Sequence, residues 1–159
     1  MLHHVLYAED DENDAFFMQR AFARLAPAAL TLVPDGGGAI AYLDGTGDFA
    51  DRAAHPLPQL LLLDIKMPHV MGLEVLAWVR QQEKFNALPV VMLTSSTQAK
   101  DIEFSRRHGA NAYLVKPSQS RDLIGLMERL IAALTTQNEN NEARLLIPEN
   151  LLFSADRAQ

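Results

Sequence analysis

The chain has 159 residues, 48% of them hydrophobic, with 14 basic against 20 acidic residues and a net charge of −6. That length suits one domain with a short extension, and the apolar fraction supplies a sizeable core. The acidic balance gives no support to a nucleic-acid or membrane-surface role, and with no cysteine the chain has no disulfide, thiolate metal site or cysteine nucleophile.

The opening MLHHVLYAED turns acidic too early for a signal peptide, and no apolar run approaches the ~20 residues that cross a bilayer. A cytoplasmic protein is expected, with neither nucleic acid nor membrane as partner. In chain order, five apolar runs have strand character: HVLYA (4–8), LTLV (30–33), QLLLL (59–63), PVVML (89–93) and AYLV (112–115). They are nearly continuous rather than alternating, as expected of parallel strands covered on both faces.

Helical periodicity fills the intervals. Ala15, Met18, Phe22 and Leu25 share one stripe, and residues 39–43 form a shorter candidate after a PDGGG turn. Leu73, Leu76 and Val79 form the next stripe; Leu123, Leu126 or Met127, Leu130 and Leu134 form the last. The helix expected over 98–108 offers only Ala99, Ile102 and Phe104 as apolar anchors, so it should be among the least stable parts of the domain. Strand and helix alternating five times argue for a doubly wound α/β sheet with right-handed crossovers.

Two stretches depart from this plan. Residues 44–58, DGTGDFADRAAHPLP, form a loop longer than most α/β connections. Beyond Leu134 the composition turns polar in TTQNENNEAR, and the apolar clusters LLIP and NLLF follow. One domain over 1–136 and an extension over 137–159 are expected, the extension either docking or remaining disordered.

In an open parallel sheet, ligands bind beyond the carboxyl ends of the strands. After the first strand come Glu9, Asp10, Asp11 and Glu12; after the third, Asp64 and then Lys66; after the fourth, Thr94; after the fifth, Lys116. One such acid is commonly just the cap of the next helix, as Asp11 is expected to be. One threonine can be another cap, and one lysine a surface side chain. Their joint occurrence along a single edge is what points to chemistry. Clustered carboxylates repel unless a cation is present, and a hard divalent ion such as Mg²⁺ meets that need. One carboxylate can then act as a nucleophile toward phosphorus, with the hydroxyl and the ammonium neutralising phosphoryl charge. The turn after the first strand is acidic rather than glycine-rich, so no nucleotide loop is present there and the phosphodonor must be external.

Taken in order, LYAEDD, LLLLDIKMP, VVMLTSS and AYLVKP make residues 3–134 resemble the receiver domain of bacterial two-component response regulators. The resemblance implies a CheY-like, flavodoxin-like fold: a five-stranded parallel sheet of order 2-1-3-4-5 with five helices. It implies Asp64 as phosphoacceptor, and Mg²⁺ held by Glu9, Asp10, Asp64 and the backbone carbonyl of Lys66. Thr94 is implied as the hydroxyl that follows the phosphoryl group, Lys116 as its cation, and Tyr113 as the switch aromatic. Phosphorylation would draw Thr94 and Lys116 inward and shift the weakly anchored fourth helix.

More narrowly, the long 44–58 loop, PDG, TSS and the tail resemble small stand-alone regulators paired with bacterial and cyanobacterial phytochrome histidine kinases. That implies a sensor histidine kinase of the bacteriophytochrome type as phosphodonor, an unidentified downstream protein, and a homodimer to which the last helix or tail contributes. Met71 stands where many members of the family have an acid. Lys66 places a cation at the mouth of the site. The expected role is a signalling module in phosphorelay rather than an enzyme. Two competitors are a pseudo-receiver scaffold that is never phosphorylated and a small aspartate-nucleophile phosphatase. The second wants a general-acid aspartate two residues past the nucleophile, where this chain has Lys66.

Overall fold

The structure, a computed structural model, describes residues 3–25 and 27–140, with side chains as far as residue 134. Five strands, β1 (His3–Ala8), β2 (Ala28–Val33), β3 (Leu60–Leu63), β4 (Val90–Thr94) and β5 (Ala112–Val115), pair in parallel in the order β2-β1-β3-β4-β5. Five helices connect and flank them: α1 (Glu12–Phe22), α2 (Gly36–Asp44), α3 (Gly72–Gln81), α4 (Ala99–Arg107) and α5 (Ser120–Asn140). This is the order implied by the resemblance. Among the described residues no helix is long and apolar enough to cross a membrane.

The sheet divides the core in two. Leu60 and Leu62 pack with Tyr7, Met18, Phe22 and Met127 on the side of α1 and α5; Leu61 and Leu63 pack with Val75, Leu76 and Val79 on the opposite side. All four leucines are fully buried. Each contributes ~2 kcal/mol by burial, which explains why the run tolerates no polar residue until it leaves the sheet. The register sets Ala8 opposite Leu63, so Glu9 and Asp64 emerge side by side from neighbouring strands. Thr94 lies opposite Val115, which brings Lys116 out beside it, its backbone N–H donating to the Thr94 carbonyl at 2.9 Å.

Asp11 caps α1, accepting from the Asp14 backbone N–H at 2.9 Å. The three glycines of PDGGG are not a turn before the second helix but its first turn. Asp35 caps it through the Gly38 N–H at 2.7 Å, so capping overrides low helix propensity. Gly36 is needed for close approach, because a Cβ there would strike the Val70 carbonyl oxygen.

The long 44–58 loop is tied down by Arg52. Its guanidinium donates to the carbonyls of Tyr42 (2.7 Å), Leu43 (2.7 Å) and His55 (3.2 Å), which satisfies the C-terminal end of α2. Tyr42, Phe49 and His55 meet tilted and edge-on in one cluster, the Arg52 guanidinium lies over the Tyr42 ring, and the Tyr42 hydroxyl donates to the Pro56 carbonyl.

The fourth helix differs from the sequence pattern in what anchors it. Ile102 is buried, but Ala99 is exposed and Phe104 half-buried; the other inward residues are Asp101 and Ser105. The Ser96 hydroxyl donates to Asp101 Oδ2 at 2.6 Å, and the Ser105 hydroxyl to the Asp101 carbonyl at 2.7 Å. The Ser96–Asp101 bond thus ties α4 to the end of β4 beside the buried Ile102, while the Ser105 bond closes within the helix itself. At the far end, α5 runs through Asn140, across the expected 136/137 boundary and into the polar stretch. The LLIP and NLLF clusters lie outside the described residues.

Candidate functional site

Every carboxylate, hydroxyl and ammonium singled out at the strand ends lies at the carboxyl edge of β1, β3, β4 and β5. Glu9 is 4% and Asp64 6% exposed, Thr94 and Tyr113 are buried, and Asp10 faces solvent. Lys116 reaches into the group with its side chain 15% exposed and donates to Glu9 Oε2 at 2.6 Å, Asp14 Oδ2 at 2.8 Å and Asp64 Oδ2 at 2.9 Å. All three ammonium hydrogens are thus occupied.

One ammonium against three carboxylates leaves excess negative charge in a poorly solvated place. The Glu9 carboxyl is held above its ordinary value mainly by burial; the Lys116 bond opposes that rise, and the Asp64 charge adds to it. The Tyr7 hydroxyl donates to Glu9 Oε2 at 2.8 Å and is pushed up by burial and by the Glu9 charge, so it stays a donor. Burial alone would lower the Lys116 ammonium, but the bonds to Asp14, Asp64 and Glu9 outweigh it and drive the group upward. Its three carboxylate partners therefore favour the cationic form of Lys116.

Glu9, Asp10 and Asp64 each offer a carboxylate oxygen within 4.8 Å of the other two. Hard oxygen donors at that spacing, short of positive charge, fit a divalent cation. Lys66, two residues beyond Asp64, has its side chain in solvent. The turn that follows is tight. His69 adopts φ 64 between Pro68 and Val70, whose N–H donates to the Pro68 carbonyl, and the Gly72 N–H donates to the Ile65 carbonyl at 2.9 Å. Gly72 lies so close to Asp64 that a Cβ there would overlap the Asp64 carbonyl oxygen. Met71, at the N-cap of α3, makes no side-chain capping bond.

Thr94 Oγ1 accepts from the Ser96 N–H at 3.2 Å, and the Tyr113 hydroxyl donates to the Ser96 carbonyl at 2.8 Å. Burial raises the Tyr113 hydroxyl above its ordinary value. Thr94, Ser96, Tyr113 and Asp101 thus form one connected path from the strand edge to α4. Sequence reasoning had not singled out Tyr7, Asp14, Ser96 or Asp101. For Tyr7 a signal existed: it precedes Glu9 by two residues on a strand, hence on the same face. Asp14 gave none, because its meeting with Lys116 spans 102 residues.

A doubly wound parallel sheet with an acidic cluster, a hydroxyl and a lysine at one edge defines an α/β class whose site suits a hard cation rather than a nucleotide phosphate. The response regulator receiver domain family matches residues 5–128, and the chain belongs to it. Receiver domains are generally signalling proteins of two-component systems rather than enzymes. Response regulator Rcp1 from Synechocystis sp. is 31% identical over 125 residues, covering 78% of this chain and 83% of that one. A solved Mn²⁺-bound form of Rcp1 superimposes with a TM-score of 0.71 at 31% identity, covering 79% and 89% of the two chains. The phosphorylated cyanobacterial phytochrome response regulator RcpA gives a TM-score of 0.74 at 30% identity, covering 80% and 90%. Response regulator RPA3017, described in red light signalling of R. palustris, gives 0.74 at 38% identity with the same coverage.

Proposed function

We propose that this receiver domain accepts a phosphoryl group on Asp64 from the histidine of a sensor kinase and signals by protein contacts. The observation that carries the reading is Lys116 bonded at once to Asp64 and Glu9 across the sheet edge, with Glu9, Asp10 and Asp64 spaced to share one dication. An Asp64 carboxylate oxygen forms the new bond to phosphorus as the phosphorus–nitrogen bond to the donor imidazole breaks. Lys116 and the Thr94 hydroxyl then meet the phosphoryl oxygens. Glu9, Asp10 and Asp64, with the Lys66 carbonyl that the family resemblance implies, would hold Mg²⁺, which when bound would supply charge neutralisation for the carboxylates and the incoming group.

The switch follows the path already described. Thr94 moving toward a phosphoryl group gives up its bond from the Ser96 N–H. That frees the Ser96 carbonyl that holds Tyr113 and the Ser96 hydroxyl that holds Asp101 of α4. A helix with Ile102 as its one buried apolar side chain, tied to Ser96 through Asp101, is readily displaced. The likeness to RcpA and RPA3017 supports a bacteriophytochrome-type kinase as donor. A homodimer with α5 contributing belongs to the same reading, supported by the length of α5, which runs from Ser120 to Asn140.

Incubation with acetyl phosphate and Mg²⁺ tests the central step. Wild type should gain one phosphoryl group by intact-mass measurement, and Asp64→Asn none. Labelling that survives the substitution undiminished overturns the assignment, and a wild type that never labels favours the scaffold reading.

A further inference from the structure

The three carboxylates that hold Lys116 are not equivalent. Glu9 and Asp64 belong to the trio spaced to share a dication; Asp14 does not. Asp14 stands on the first turn of α1, where Asp11 binds its backbone N–H, and its side chain is 41% exposed. It lines a cleft of about 420 Å³ between α1 and the start of α5, together with Phe17, Lys116 and Ser118. Its Oδ2 nonetheless takes one of the only three hydrogens the ammonium has, at 2.8 Å.

A phosphoryl anion on Asp64 also needs a hydrogen from that ammonium. We infer that Asp14 is a positioning residue, holding Lys116 toward α1 and competing with the phosphoryl group for it. It thereby sets how tightly the site retains a phosphoryl anion. This rests on the reading of Asp64 as phosphoacceptor. Removing the Asp14 charge removes both a rival acceptor and a repulsive charge near the incoming anion, and both changes favour anion binding. Because Asp14 is partly solvated, its hold on the ammonium is that of a semi-exposed ion pair, and the gain is roughly three- to fivefold.

The test uses the full chain as wild type, Asp14→Asn and Asp14→Glu. Beryllofluoride is titrated by calorimetry at saturating Mg²⁺, and Mg²⁺ alone is titrated separately. Asp14→Asn should bind beryllofluoride roughly three- to fivefold tighter, while binding Mg²⁺ alone no tighter than wild type, since a negative charge has been lost. Asp14→Glu, which keeps the charge, should return to the wild-type value. Equal beryllofluoride affinity in wild type and Asp14→Asn overturns the inference, as does parallel tightening for Mg²⁺ alone or an identical shift in Asp14→Glu. A wild type that binds no beryllofluoride overturns the phosphoacceptor reading itself, and the inference with it.

Discussion

Replacing Lys116 with methionine isolates the electrostatic problem at the sheet edge. The stem of the side chain is preserved, but Glu9, its side chain fully enclosed, and Asp64, its side chain nearly so, lose their shared cation. Removing one partner from a buried ion pair costs ~3–5 kcal/mol. Asp14 is solvated enough to contribute little, and water can follow the lost ammonium, so the expected loss is ~2–4 kcal/mol. For a domain of this size that lowers Tm by roughly 6–12 °C. The variant also loses the bond that opposes the rise of Glu9, so Glu9 climbs further above its unfolded value. A carboxyl raised on folding binds its proton more readily in the folded state, so stability grows as pH falls. Urea denaturation in EDTA should therefore show a large deficit at pH 7.5 and a smaller one at pH 5.5, with Mg²⁺ restoring part of the deficit at pH 7.5. A loss under ~0.5 kcal/mol at pH 7.5, or a deficit that widens on acidification, refutes this account of the site.

Gly72→Ala forces the β3–α3 turn away from the Asp64 carbonyl, and a loss of ~2–4 kcal/mol is expected in chemical denaturation. The same displacement should cut the rate of labelling by acetyl phosphate about tenfold, because an ångström-scale shift of the acceptor matters. Arg52→Ala should cost ~2–3 kcal/mol, since the Leu43 and His55 carbonyls lose their donor and the Tyr42 carbonyl keeps only the Gly45 N–H, with faster amide exchange confined to residues 42–58; Arg52→Lys should recover only part of it. Mg²⁺ affinity, measured by calorimetry, should fall as acid protonates Glu9. The fall should begin above the ordinary carboxyl value of 4.5 and steepen to roughly tenfold per pH unit.

The strands were legible because a strand covered on both faces must be apolar at every position. Runs such as LLLL therefore announce both their geometry and their central place. The residues ending those runs were legible for the same reason: a charge directly after a fully buried strand can only stand at the edge. Less could be read where short-range signals compete. The PDGGG stretch looks like a turn by composition, yet Asp35 and the packing of Gly36 against Val70 make it helix. The anchoring of α4 was hidden because apolar periodicity is blind to Asp101 and Ser105 facing inward.

By itself, the sequence determined the alternation of strand and helix, the family, and the residues delivered to the strand ends. All of these follow from local burial patterns and short motifs. Which carboxylates share the ammonium was decided only in three dimensions. The parallel register places Glu9 beside Asp64, and the packing of α1 lays Asp14 against a lysine 102 residues away. No local pattern encodes such a meeting, since it depends on strand order, side-chain parity and helix orientation together. The same holds for the path from Thr94 through Ser96 to Tyr113 and Asp101, whose hydrogen bonds exist only once β4, β5 and α4 are assembled.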